Sequence, residues 1–228
     1  MKRLGIIQPG KIGDIIICLP IAKWYYDRGY EIIWPVDRHI IPNFIDHINY
    51  VKFIPASFDC DLARQLCANE RCNTIIDVSF TIPNGNGYNT DNYLAQSSIE
   101  FDEFKYNIAN VPFEQKWNLQ FTKNIDREIN LYNRVVTERS HVVVQWHGSD
   151  CCRHAIFDNP DNHQIVEVKP ITTSIFDWIY TLEKAQFMVL IDSSIANLVE
   201  QLGLKQKKYL LTRQKARPTL KNDWIIVP

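Results

Sequence analysis

Short apolar runs alternate with helical patterns along this chain, break off once, and start again. That alternation limits the possible folds more than any other feature. Residues 4–8, 31–34, 51–54 and 74–78 read as buried strands. Residues 14–28 read as a helix, with Ile15, Cys18, Leu19, Ala22 and Tyr26 on one side. Residues 40–44 and 59–70 read as further helices. Pro20 predicts a kink, Gly29 a helix stop, and Pro35 the end of the second strand. Apolar strands separated by helices make a parallel sheet covered on both faces.

Residues 82–92 form a polar, turn-rich loop around Pro83, Gly85 and Gly87, either a ligand loop or a solvated connection. Residues 94–107 look helical, and 117–121 alternate like a strand. The polar stretch 124–139 reads as a linker or exposed helix. The pattern then restarts: strands at 141–146, 164–168, 187–191, 208–211 and 224–227. One helix is capped by Thr172 or Thr173, and another, 195–202, stops at Gly203. The expected division is a domain at 1–125, a linker at 126–139 and a second domain at 140–228.

Composition narrows the function. The 228 residues carry a formal net charge of −1, which gives no general attraction to nucleic acid or an anionic membrane. A basic cluster (Lys205, Lys207, Lys208, Arg213, Lys215, Arg217, Lys221) reads first as solvated surface and keeps a nucleic-acid partner possible but not favoured. No apolar run is long enough for a membrane span, and the N-terminus reads as a strand, so a cytoplasmic location is expected. Six cysteines show no C-x-x-C pair, which fits reduced thiols. His147, Cys151, Cys152 and His154 share one loop, but no second knuckle follows, and no metal site is expected.

Three turns carry candidate chemistry. After the first strand comes Gly10-Lys11-Ile12-Gly13-Asp14, where the glycines permit unusual backbone angles. Asp14 there either caps the helix or acts as a general base on a hydroxyl. The spacing matches neither a dinucleotide fingerprint nor a P-loop. Asp192-Ser193-Ser194-Ile195-Ala196-Asn197 opens a helix after a buried strand, as a Ser cap or as a site for phosphate or diphosphate. His147-Gly148-Ser149 follows the first strand of the second half, near the same sheet edge.

Residues 8–20, with their Gly13-Asp14 pair, apolar stretch and Leu19-Pro20, resemble the N-terminal signature of the heptosyltransferase-like glycosyltransferases, family nine. Asp192 to Asn197 is similar to that family's second signature, with Ser194 in place of its Gly and Asn197 in place of its His. Gln145 to Ser149 resembles the turn after the first strand of its second domain. The chain is short and divergent for the family. The resemblance implies an α/β, GT-B-like fold: two Rossmann-like parallel-sheet domains facing across a cleft. It also implies an N-terminal acceptor domain and a C-terminal nucleotide-sugar domain. Asp14 would be the base of an inverting transfer from a nucleotide-diphospho-sugar to an acceptor hydroxyl. Gly10, Lys11, Gly13, His147, Gly148, Ser149, Asp192, Ser193, Ser194 and Asn197 would bind substrate. No cofactor is implied beyond the co-substrate. The acceptor would be a glycan or, less readily, a modified nucleic-acid base. Two other readings stay open: a nucleotide-sugar epimerase using His147 and His154, and a non-catalytic binding protein of the same fold.

Overall fold

The computed structural model describes residues 2–79, 100–148, 151–213 and 218–227. The expected loop at 82–92, the start of the helix expected at 94–107, and Ser149, Lys215 and Arg217 lie outside the described residues. The chain divides into two units. Unit 1 is Met1–Thr122 with Ala216–Thr219, and unit 2 is Lys123–Lys215 with Leu220–Pro228.

Unit 1 holds a parallel four-stranded sheet in the order β3-β2-β1-β4, from β1 (Lys2–Ile7), β2 (Tyr30–Asp37), β3 (Val51–Ala56) and β4 (Thr74–Asp77). Its helices are α1 (Ile12–Tyr26), α2 (Cys60–Asn69) and α3 (Phe101–Ile108), with 3-10 turns at Ile41–Asn43 and Phe113–Trp117. Helix α1 is buried continuously from Ile15 to Ala22, not on one side only, because sheet and helical neighbours enclose it. Pro20 deprives the Ile16 carbonyl of its i+4 donor. The Tyr106 hydroxyl donates to the next carbonyl, Ile17, at 2.8 Å. Asp59 caps α2 by accepting from the Asp61 and Leu62 amides.

Two expectations in this unit fail. Pro35 does not end β2, which runs on to Asp37. Beyond Ile33 the strand pairs with β3 alone, so the missing N–H falls where no β1 partner needs it. Residues 118–121 form no strand. The Gln120 carbonyl accepts from the Tyr50 hydroxyl and the Thr122 amide donates to the His47 carbonyl, which holds the segment without a ladder.

Unit 2 holds a parallel five-stranded sheet in the order β6-β5-β7-β8-β9, from β5 (His141–Gln145), β6 (Gln164–Glu167), β7 (Phe187–Ile191), β8 (Lys207–Leu211) and β9 (Trp224–Val227). Around it run α4 (Ile125–Val135), α5 (Ile179–Lys184) and α6 (Ser194–Leu202), which ends at Gly203 with φ +61°. Val144, Val189, Ile191 and Leu211 form one core layer beneath Trp146, Phe157, Phe187 and Tyr209. The buried Glu200 carboxylate accepts from the Lys221 amide and the Trp224 indole, tying the last strand to α6.

The segment expected as a linker (126–139) or exposed helix is mostly the helix α4. Asn124 caps it and it packs on α5, so it belongs to unit 2 rather than joining two domains. The helix expected behind Thr172 or Thr173 is capped by Ser174, whose hydroxyl accepts from the Phe176 amide, and begins as the 3-10 turn Ile175–Trp178. Among the described residues, no helix is long and apolar enough to cross a membrane.

Candidate active site

In an open α/β sheet the strand order reverses at one point, and the crevice beyond the strand ends there is where ligands bind. In unit 1 that point lies between β1 and β4, and in unit 2 between β5 and β7. The glycine turn follows β1, while His147-Gly148 and Asp192-Ser193 follow β5 and β7. Each candidate turn therefore stands at a switch point of its own sheet.

At the unit 1 switch point, Asp14 lies in the first turn of α1 with its side chain 29% exposed. Its oxygen is 3.4 Å from the ammonium of Lys105, a fully buried residue of α3. Lys105 also donates to the Val78 carbonyl, just beyond β4, at 2.7 Å. One ammonium thus bridges the first turn of α1 and the end of β4. The helix-capping role does not hold: the residue flanking the start of α1 is Lys11, and it makes no side-chain cap. Among the described residues, positive φ falls on Lys11 (+54°) and on neither Gly10 nor Gly13. Gly10 meets a different demand. A Cβ there would lie 1.6 Å from the Phe58 ring, so only glycine admits that ring.

At the unit 2 switch point, the Ser193 hydroxyl donates to the Gln145 side-chain oxygen at 2.5 Å, joining the ends of β7 and β5. Ser193 is the N-terminal flanking residue of α6, but its side chain does not cap that helix. The first-turn amides, which have no intrahelical acceptor, are thus left to another partner. Asn197, on the same first turn, is buried and its side-chain oxygen has no hydrogen-bond partner. Asp192 is buried, with its amide on the Leu211 carbonyl. Arg213, just past β8, brings its guanidinium against Gly148, 3.2 Å from where a Cβ would be. Its neighbour Arg153 donates to the Thr212 carbonyl. Amides at a helix start can hold an anion such as a diphosphate, and Arg213 brings a guanidinium to the turn after β5, the strand beside β7.

His147 turns away from this centre. Its ring lies 3.8 Å from the Glu167 carboxylate and 4.0 Å from the Cys152 sulfur, and Cys152 is 3.3 Å from His154. Among the described residues no group of three His, Cys, Asp or Glu side chains is arranged to hold a metal.

Lys105 and Phe58 are the residues sequence reasoning missed. Lys105 sits in a stretch that reads only as an amphipathic helix, and its meeting with Asp14 depends on the tertiary fold. Phe58 follows a strand as any loop residue might. The one available signal was Gly10, a glycine with no positive φ to explain it. Arg213 was visible, but only as part of a basic surface.

No protein-family model matches the chain, and no curated protein matches it. Solved structures do. The chain is similar to the E. coli heptosyltransferase WaaC bound to ADP-2-deoxy-2-fluoro heptose. Identity is 13%, the TM-score is 0.54, and the match covers 99% of this chain and 92% of that one. It is similar to a family 9 glycosyl transferase from Veillonella parvula at 10% identity and TM-score 0.63, covering 99% and 86%. It is also similar to the E. coli ADP-heptose LPS heptosyltransferase II at 10% identity and TM-score 0.55, covering 100% and 90%. The likeness runs through both units, and the fold is the GT-B-like α/β fold of these glycosyltransferases.

Proposed function

We propose that the protein is a glycosyltransferase that moves a sugar from a nucleotide-diphospho-sugar to an acceptor hydroxyl with inversion. The observation that carries this is Asp14: a partly exposed carboxylate at a sheet switch point, free of capping duty and paired with a buried lysine. In this reading Asp14 accepts the proton of the acceptor hydroxyl while the hydroxyl oxygen bonds to the anomeric carbon. The bond from that carbon to the diphosphate breaks, and the nucleoside diphosphate leaves with the electron pair. The α6 amides, Ser194 and Arg213 stabilise its growing charge. Asn197 supplies a further polar contact to the donor, which its unpartnered oxygen supports. Lys105 keeps Asp14 oriented between turnovers. The scheme asks for no resident cofactor. WaaC has been seen with ADP and with an ADP-sugar, so adenine nucleotides are the first donors to try.

The test has two stages. ADP-, UDP-, GDP- and CDP-sugars are screened for thermal stabilisation, which is worth about 2.7 kcal/mol at a hundredfold excess over Kd. Nucleoside diphosphate release is then followed with the stabilising donor. Asp14→Asn is expected to lower release about 100-fold or more while donor stabilisation persists. Release at the wild-type rate in Asp14→Asn, or stabilisation by none of the donors, would overturn the proposal. Epimerised donor without transfer would move the activity to the epimerase class.

A further inference from the structure

Phe58 has no part in the reaction as written, and its placement calls for an explanation. It lies between the end of β3 and the cap of α2. The backbone is pinned on both sides: the Ala56 carbonyl accepts from the Arg38 amide, the Asp59 amide donates to the Ser57 carbonyl, and the Asp59 side chain caps α2. The ring rests on Gly10, where a Cβ would come 1.6 Å from both Cδ2 and Cε2. Yet Phe58 remains 65% exposed. A scattered surface aromatic needs no comment. This one lies against the turn that leads to Asp14, beyond the carboxyl ends of the strands, with a glycine making room for it.

We propose that Phe58 is the acceptor platform: a pyranose ring of a glycan acceptor lies with its apolar C–H face on this phenyl ring. The inference rests on the transferase reading above and names its acceptor class. A pyranose has one face of C–H groups, polarised by the ring's oxygens, and an aromatic face carries the opposing partial charge. Its hydroxyls stand around the rim. A ring seated on Phe58 therefore presents hydroxyls beside the turn that holds Asp14. A nucleobase could also stack on a phenyl ring. The chain's net charge of −1 lacks the field that draws a polynucleotide, so the sugar is favoured.

Saturation-transfer NMR on the full chain separates these outcomes. The probes are the methyl pyranosides of glucose, galactose and mannose, with oligothymidylate as the nucleic-acid control. At least one pyranoside is expected to show transfer concentrated on the C–H protons of one face. Phe58→Ala should weaken its binding about tenfold, the worth of one good aromatic contact. Phe58→Trp should retain it, and Gly10→Ala should lose it with the phenylalanine still present. Nucleotide-sugar stabilisation should be unchanged in the two Phe58 variants, which shows that they fold. In turnover, Phe58→Ala should raise the acceptor KM and spare kcat. Transfer to no pyranoside, transfer unaltered by Phe58→Ala, or Phe58-dependent binding of oligothymidylate alone would overturn the inference. If Asp14-dependent diphosphate release persists in that event, the transferase reading stands without it. If no donor binds, the reading itself fails first.

Discussion

Glu128 shows how far a residue's surroundings can depart from its sequence context. Within 124–139 it reads as one more solvated charge, yet in α4 it is fully buried. Burial raises its pKa above the ordinary 4.5; Glu183 and Asp177 push the same way, against Lys123. The folded chain therefore holds this proton more tightly than the unfolded one. The resulting stability is full below about pH 4.5 and is lost as pH rises through the folded value. Glu128→Gln keeps the shape and removes the titration. It is expected to raise Tm at pH 7–8 and to change it little near pH 4, as read by thermal melts across that range. A shift of equal size at every pH would contradict the argument. Asp14 was legible because it stands beside a glycine turn after an apolar run. Lys105 and Glu128 were not, because their meaning lies in contacts with distant parts of the chain.

At the scale of elements, period and punctuation carried most of the information. The helix over 59–70 and Gly203 stopping α6 could be read directly. The alternation at 117–121 misled, because period two describes any extended chain and says nothing about a partner strand. Pro35 misled the other way, since a proline is harmless where one side of a strand has no neighbour. How closely an element packs was also hidden. Gly5 in β1 lies under α2, and a Cβ there would be 2.6 Å from the Cys67 sulfur and 2.9 Å from its Cβ. Gly5→Ala should thus cost about 1–3 kcal/mol by overpacking. Cys67→Ala removes the sulfur but not the Cβ, so the double variant should recover part of the loss, with a coupling of about 0.5 kcal/mol or more. Urea denaturation of the four species measures it. Strict additivity would show that the helix simply moves aside.

At the scale of the whole molecule, two α/β units in tandem followed from the restarted pattern at residue 141. The path of the last residues did not. Thr219 belongs to unit 1, although the chain on both sides of Ala216–Thr219 belongs to unit 2. Its amide and hydroxyl donate to Asp102 of α3 at 3.0–3.1 Å, and its carbonyl accepts from Lys116. Asp102 and Lys116 are themselves an ion pair at 2.5 Å, both fully buried. No local pattern announces such a clasp, since sequence shows two ordinary charges on helical turns. Its energetics follow from desolvation. Two charges withdrawn from water are tolerable only together, so Asp102→Ala leaves a buried ammonium and an unsatisfied Thr219 amide. It should cost about 3–5 kcal/mol. Asp102→Asn with Lys116→Met removes both charges but keeps an oxygen facing the Thr219 amide, so this pair should fall well short of that loss. Urea midpoints of the two variants decide the point. If the neutral pair is as unstable as Asp102→Ala, then charge balance is not what the clasp depends on, and the strap is held by the shape of these side chains instead.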